Sequence, residues 1–85
     1  MDELTELSIL RNEIDAIDRE ITALFCKRLD IAAEIGRIKR TGKLPVTDES
    51  RESEILKVLS EISGDKAEAV CELYRTVFGI SKKMQ

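Results

Sequence analysis

Apolar side chains recur at alternating spacings of three and four through the first forty residues: Leu7, Leu10, Ile14, Ile17, Ile21, Leu24, Ile31, Ile35 and Ile38. Arg28 is the one seam position in that stretch that is not apolar. Neither Gly nor Pro falls within residues 4 to 35. The spacing therefore predicts a single helix from about residue 4 to 40. Gly36 costs about 1 kcal/mol relative to Ala, which the flanking heptads outweigh. Arg37, Lys39 and Arg40 place positive charge in the last turn, and Gly42 and Pro45 end it. Such a helix is roughly 55 Å long, whereas a compact domain of this size is only about 30 Å across. A bare apolar seam of that length needs a partner, and an intertwined homodimer of paired long helices is the simplest one.

The rest of the chain is shorter in its periods. Residues 41 to 47 read as a loop, after which Thr47 or Asp48 can cap a second helix carrying Ile55, Leu56, Leu59 and Ile62. Gly64 stops that helix. Asp65 followed by Glu68 has the spacing of a capping box for a third, which buries Ala67, Val70, Cys71, Tyr74, Val77 and Phe78. The expected architecture is all-α: one domain over residues 1–85, with helices at about 4–40, 48–62 and 66–84.

Composition agrees and narrows the chemistry. Four glycines and one proline are too few for a loop-rich β fold, and 36% charged with 42% apolar residues suits amphipathic helices rather than disorder. There is no histidine, which removes the commonest general base and metal ligand, so catalytic triads, zinc sites and haem are not expected. A net charge of -3 lacks the basic excess of a nucleic-acid binder, and the short basic runs lie near helix ends. Cys26 and Cys71 are too few and too far apart for a disulfide framework. Two free thiols acting as small buried apolar groups suit a reducing cytosol. The acidic segment MDELTELSIL lacks the apolar core of a signal peptide, and no apolar run reaches the ~20 residues of a membrane span. A cytoplasmic protein is expected.

Charges interrupt the stripes in a telling way. Arg28 on the seam must be paired or face a ligand. Arg11 and Lys39 each follow a seam residue, yet they lie about 42 Å apart along one helix and cannot share a small pocket. If two copies pair antiparallel about residue 22, Arg11 of one falls level with residue 33 of the other. It then sits between the partner's Arg28 and Lys39. On the second helix, Asp48, Arg51 and Glu52 extend the stripe of Ile55 and Leu59 toward the N-terminal end. On the third, the stripe of Val70, Tyr74, Val77 and Phe78 runs on into Ser81 and Gln85. Each feature alone has an ordinary explanation: solvated coiled-coil flanks, a capped helix start with a local ion pair, the end of a helix. Together they describe a cationic, hydrogen-bonding surface suited to a small dianion.

The segments LRNEIDAIDREITALFCKRLDIAAEIGRIKR, PVTDESRESEIL and ELYRTVFGISKKMQ resemble, in this order and with matching gaps, the all-helical (type II) chorismate mutases. The resemblance covers essentially the whole chain and includes the polar positions named above. It implies a cofactor-free, dimeric enzyme that rearranges chorismate to prephenate in phenylalanine and tyrosine biosynthesis, each active site being completed by the partner chain. By the same resemblance, Arg11 of one chain and Arg28 of the other hold the two carboxylates. Lys39 and Gln85 donate to the ether oxygen, and Glu52 accepts from the ring hydroxyl, assisted by the backbone near Asp48. Arg51, Asp48 and Ser81 complete the binding network, and Ile35 is an apolar wall.

A unimolecular rearrangement needs no nucleophile, metal or proton shuttle, only a held conformer and stabilised charge on the ether oxygen. A chain without histidine fits it. One departure concerns Gln85, the last residue here, where the family's third helix commonly continues. A terminal residue is expected to fray, and Gly79 to weaken the same helix. Two rivals remain at this point: an isochorismate-pyruvate lyase of the same fold, and a non-catalytic dimeric helical module that binds a partner or an effector.

Overall fold

The computed structural model describes residues 2–85. It contains three α-helices: α1 (Glu3–Thr41), α2 (Glu49–Ser63) and α3 (Ala67–Met84). A single 3-10 turn, Gly64–Lys66, joins α2 to α3 without a non-helical residue between them, so the helical residues fall in two uninterrupted runs. No strand occurs among the described residues, and no helix there is long and apolar enough to cross a membrane. By its internal contacts the chain divides into two units, one ending at Asp30 and one spanning Ile31–Gln85.

The first unit is the larger part of α1. Asp2 starts the helix by accepting the Thr5 backbone N–H at 2.8 Å. That hydrogen bond holds the Asp2 carboxyl below its ordinary pKa. Its contribution to stability is present above the ordinary carboxylate pKa and is lost as pH falls through the lowered one. From Leu7 to Leu24 the seam side chains are each between 41% and 64% exposed in the single chain. Cys26 is exposed as well, contrary to the expectation of a buried thiol.

The second unit holds the end of α1, the loop, α2 and α3. The helix α1 closes in a Schellman arrangement: Leu44 N–H donates to Lys39 C=O at 2.7 Å and Lys43 N–H to Arg40 C=O at 3.3 Å. The left-handed residue is Lys43, with φ 55°, and not the neighbouring Gly42. A side chain there costs about 1–2 kcal/mol. Lys43→Gly is therefore expected to raise stability by about 1 kcal/mol after the glycine's extra unfolded-state entropy. Urea denaturation measures it, and an unchanged midpoint would count against the strain.

Asp48 caps α2, its Oδ1 accepting the Arg51 N–H at 3.0 Å. Gly64 ends α2 at φ 58°, a left-handed value that only glycine adopts freely. The expected capping box does not form. Asp65 lies inside the 3-10 turn, and Lys66 occupies the position before α3 without a side-chain cap. The turn carries the backbone from one helix to the next and satisfies part of the need a cap would meet; Ala67 N–H donates to Gly64 C=O.

The core of this unit is small. Ala32, Val77 and Phe78 are buried, while Ile55, Leu56, Leu59, Ala67, Val70, Cys71 and Tyr74 are half-buried and Ile62 is 75% exposed. Tyr74 and Phe78 meet edge to face with centroids 6.0 Å apart, and Ser60 Oγ lies 3.1 Å from Cys71 Sγ across α2 and α3.

Candidate functional site

Polar groups converge at the C-terminal end of α1. Lys39 is half-buried and its ammonium donates twice, to Val46 C=O at 2.7 Å and to Gln85 Oε1 at 2.9 Å. One cation thus ties the loop to the end of α3. Because an ammonium only donates, Gln85 must offer its amide oxygen. The amide nitrogen, with two protons, is left for another acceptor. The expected fraying of Gln85 is not found: its N–H donates to Ser81 and Lys82 carbonyls, Arg40 donates to its main-chain oxygen, and α3 passes through Gly79 unbroken.

Beside this pair the surface is hollowed. Lys39, Leu44, Pro45, Thr47, Asp48 and Glu49 line a depression of about 630 Å³. It lies against the loop and the first turn of α2, where Asp48 is anchored by its own cap.

Glu52 is fixed from across the helix pair. Its Oε2 meets Lys82 Nζ at 2.9 Å, with the side chains 25% and 34% exposed. The pairs of Glu34 with Arg37, Arg51 with Glu54 and Asp65 with Lys66 are each at least 60% exposed on both partners. The Lys82 pair is therefore less screened by water than these three. Lys82→Met is expected to lower stability by about 1 kcal/mol, and less at high salt. A double-mutant cycle with Glu52→Gln checks it; full additivity would show that the two groups do not interact.

Ser81 is buried, one turn before Gln85. Ile35 is 42% exposed. Arg51 is exposed and its guanidinium pairs with Glu54 one turn on, so the ion pair at the start of α2 involves Glu54 and neither Asp48 nor Glu52. In the first unit Arg28 is half-buried and Arg11 exposed, and the two are about 26 Å apart along the helix. The structure thus brings Lys39 to Gln85 and Asp48 to the Arg51 backbone, but leaves Arg11 far from Arg28 within one chain. In the sequence Lys82 stands out only as part of a short basic run near a helix end, and nothing there marks the Val46 carbonyl. Lys82 follows Ser81 on a polar helix end, and only the packing of α2 on α3 shows which carboxylate it meets.

These features define an all-helical domain with a hydrogen-bonded cation–amide pair and a fixed carboxylate on its polar side. The chain belongs to the chorismate mutase type II family, which it matches over residues 10–85. It is 39% identical over 80 residues to the bifunctional chorismate mutase/prephenate dehydratase of Aquifex aeolicus, covering 87% of this chain and 22% of that protein. It is 35% identical over 71 residues to the T-protein of Haemophilus influenzae, covering 84% and 19%. The chain thus spans about a fifth of the length of these two relatives. Against the intracellular chorismate mutase of Mycobacterium bovis the identity is 31%, with 82% and 67% covered. Among solved structures, the crystal structure of the Helicobacter pylori chorismate mutase in complex with prephenate superposes with a TM-score of 0.85. Its identity is 41%, with 94% of this chain and 89% of that chain covered.

Proposed function

We propose that the chain is a chorismate mutase domain over residues 1–85, rearranging chorismate to prephenate without a cofactor. The observation that carries this reading is the Lys39–Gln85 pair, an ammonium and an amide locked together at 2.9 Å. In the reaction the ether C–O bond breaks as a C–C bond forms within one molecule, and negative charge grows on the ether oxygen. Two fixed donors aimed at one oxygen stabilise that charge without reorganising. Family membership and the prephenate-bound Helicobacter pylori relative support the same substrate.

In this reading the enzyme is an antiparallel, intertwined homodimer. The exposed seam of α1 supplies the reason. Covering a second copy's seam contributes on the order of 1 kcal/mol per half-buried aliphatic side chain, and the small core of one chain leaves that burial outstanding. Arg28 and Arg11 of the partner chain then hold the substrate's carboxylates, Glu52 and the backbone at Asp48 take the ring hydroxyl, and Arg51, Ser81 and Ile35 complete the binding surface. The two free thiols support a reducing, cytoplasmic setting.

Offering chorismate and isochorismate separately tests the assignment. Prephenate from the first is expected. Salicylate and pyruvate from the second, with chorismate left intact, would replace the mutase by a lyase. Turnover of neither would favour a binding module.

A further inference from the structure

We propose that Gly36 and Arg40 are positioning residues that seat Gln85 against Lys39. The proposal rests on the mutase reading for its kinetic consequence, but its geometry stands apart from it. Gly36 is buried within α1, near its C-terminal end, where the helix has no conformational need for glycine. A Cβ built there would lie 2.5 Å from Gln85 Cα, 2.8 Å from its main-chain oxygen and 3.0 Å from its Cβ. The first two are backbone atoms, which cannot swing aside as the tip of a side chain can. Glycine is present because the end of the chain passes directly over α1.

Arg40 completes the seat. Residues 36, 39 and 40 share one face of α1. Gly36 gives Gln85 a floor, Lys39 takes its amide oxygen, and Arg40 donates to its main-chain oxygen. The contact with the main chain fixes where the residue begins, and the contact with the amide fixes which way its nitrogen faces. A donor that must meet a developing charge needs both, since a misplacement of about 1 Å can cost on the order of 100-fold.

Gly36→Ala is expected to lower kcat by on the order of 100-fold, the cost of about 1 Å of misplacement, with KM nearly unchanged. Arg40→Met is expected to lower kcat by about tenfold, as loss of a charge-assisted hydrogen bond would, and Arg40→Lys to restore most of it. Neither substitution should lower kcat further in a Gln85→Ala background, because the side-chain amide whose placement they fix is then gone. Effects of full size in that background would make the two residues merely structural and overturn the proposal. So would Arg40→Met with unchanged kcat, a test that does not depend on Gly36→Ala folding. Independently of turnover, the Gln85 side-chain amide resonances of the 15N-labelled protein are expected to shift in Arg40→Met. Unshifted resonances would overturn the seat itself, whereas shifted ones in a chain inactive on chorismate would overturn only the mutase reading.

Discussion

Replacing Lys39 by alanine is expected to lower kcat about a thousandfold while leaving the fold and the oligomeric state in place. The ammonium is the one formal charge in the Lys39–Gln85 pair, and in the proposed mechanism the pair meets an oxygen that gains charge only in the transition state. Removing a single preorganised donor of this kind costs about 10²–10³-fold in kcat, and a charged donor lies at the upper end. The same side chain also holds Val46 C=O and Gln85 Oε1, so some stability is lost with it. Hydrogen bonds to a charged group contribute about 1.5–3 kcal/mol, less where, as here, the group is partly exposed. That loss moves the melting temperature by several degrees and leaves the chain folded at 25 °C. The two effects are separable by measuring kcat and thermal unfolding on the same sample. Near-equal kcat in the wild type and the variant would remove Lys39 from the chemistry.

The second large effect concerns how sites are shared. Arg11 and Arg28 cannot meet one small dianion within a chain, being about 26 Å apart on a single helix. In the proposed homodimer, antiparallel pairing about residue 22 would bring Arg11 of one chain level with residue 33 of the other, between that chain's Arg28 and Lys39. Arg11→Ala and Arg28→Ala chains are each expected to lose at least 100-fold in kcat/KM, since each would leave a substrate carboxylate in the proposed shared site without its cation. Mixed under subunit exchange, half the dimers carry one of each chain. Each heterodimer has one site with both substitutions and one with neither, so about a quarter of wild-type activity returns. No recovery, with exchange shown by mass spectrometry, would mean that the two arginines do not belong to a shared site.

The long helix was legible because its signal is local and redundant. Nine apolar seam positions and the lack of a breaker between residues 4 and 35 all point the same way, and α1 runs from Glu3 to Thr41. The start of α2 was legible to within one residue, Thr47 or Asp48, and Asp48 provides the cap, a contact between a side chain and a backbone N–H three residues on that needs no tertiary partner. The junction of α2 and α3 was misread. Asp65 and Glu68 have capping-box spacing, but the 3-10 turn places Lys66 at the cap position instead. Gly36 was read only as a helix-weakening residue. Its close contact lies 49 positions away at Gln85, and no local pattern reports an approach made by the chain's far end. The Lys82–Glu52 pair was hidden for the same reason, because it depends on the register of two helices rather than on spacing within either.

The proposed mutase reaction can be tested directly. The purified chain, free of other mutases, is mixed with chorismate, and loss of chorismate and formation of prephenate are followed together. Prephenate is expected to appear in step with chorismate loss, at a rate proportional to protein concentration and abolished almost entirely in Lys39→Ala. Chorismate consumed no faster than in buffer alone, by a folded wild-type chain, would contradict it.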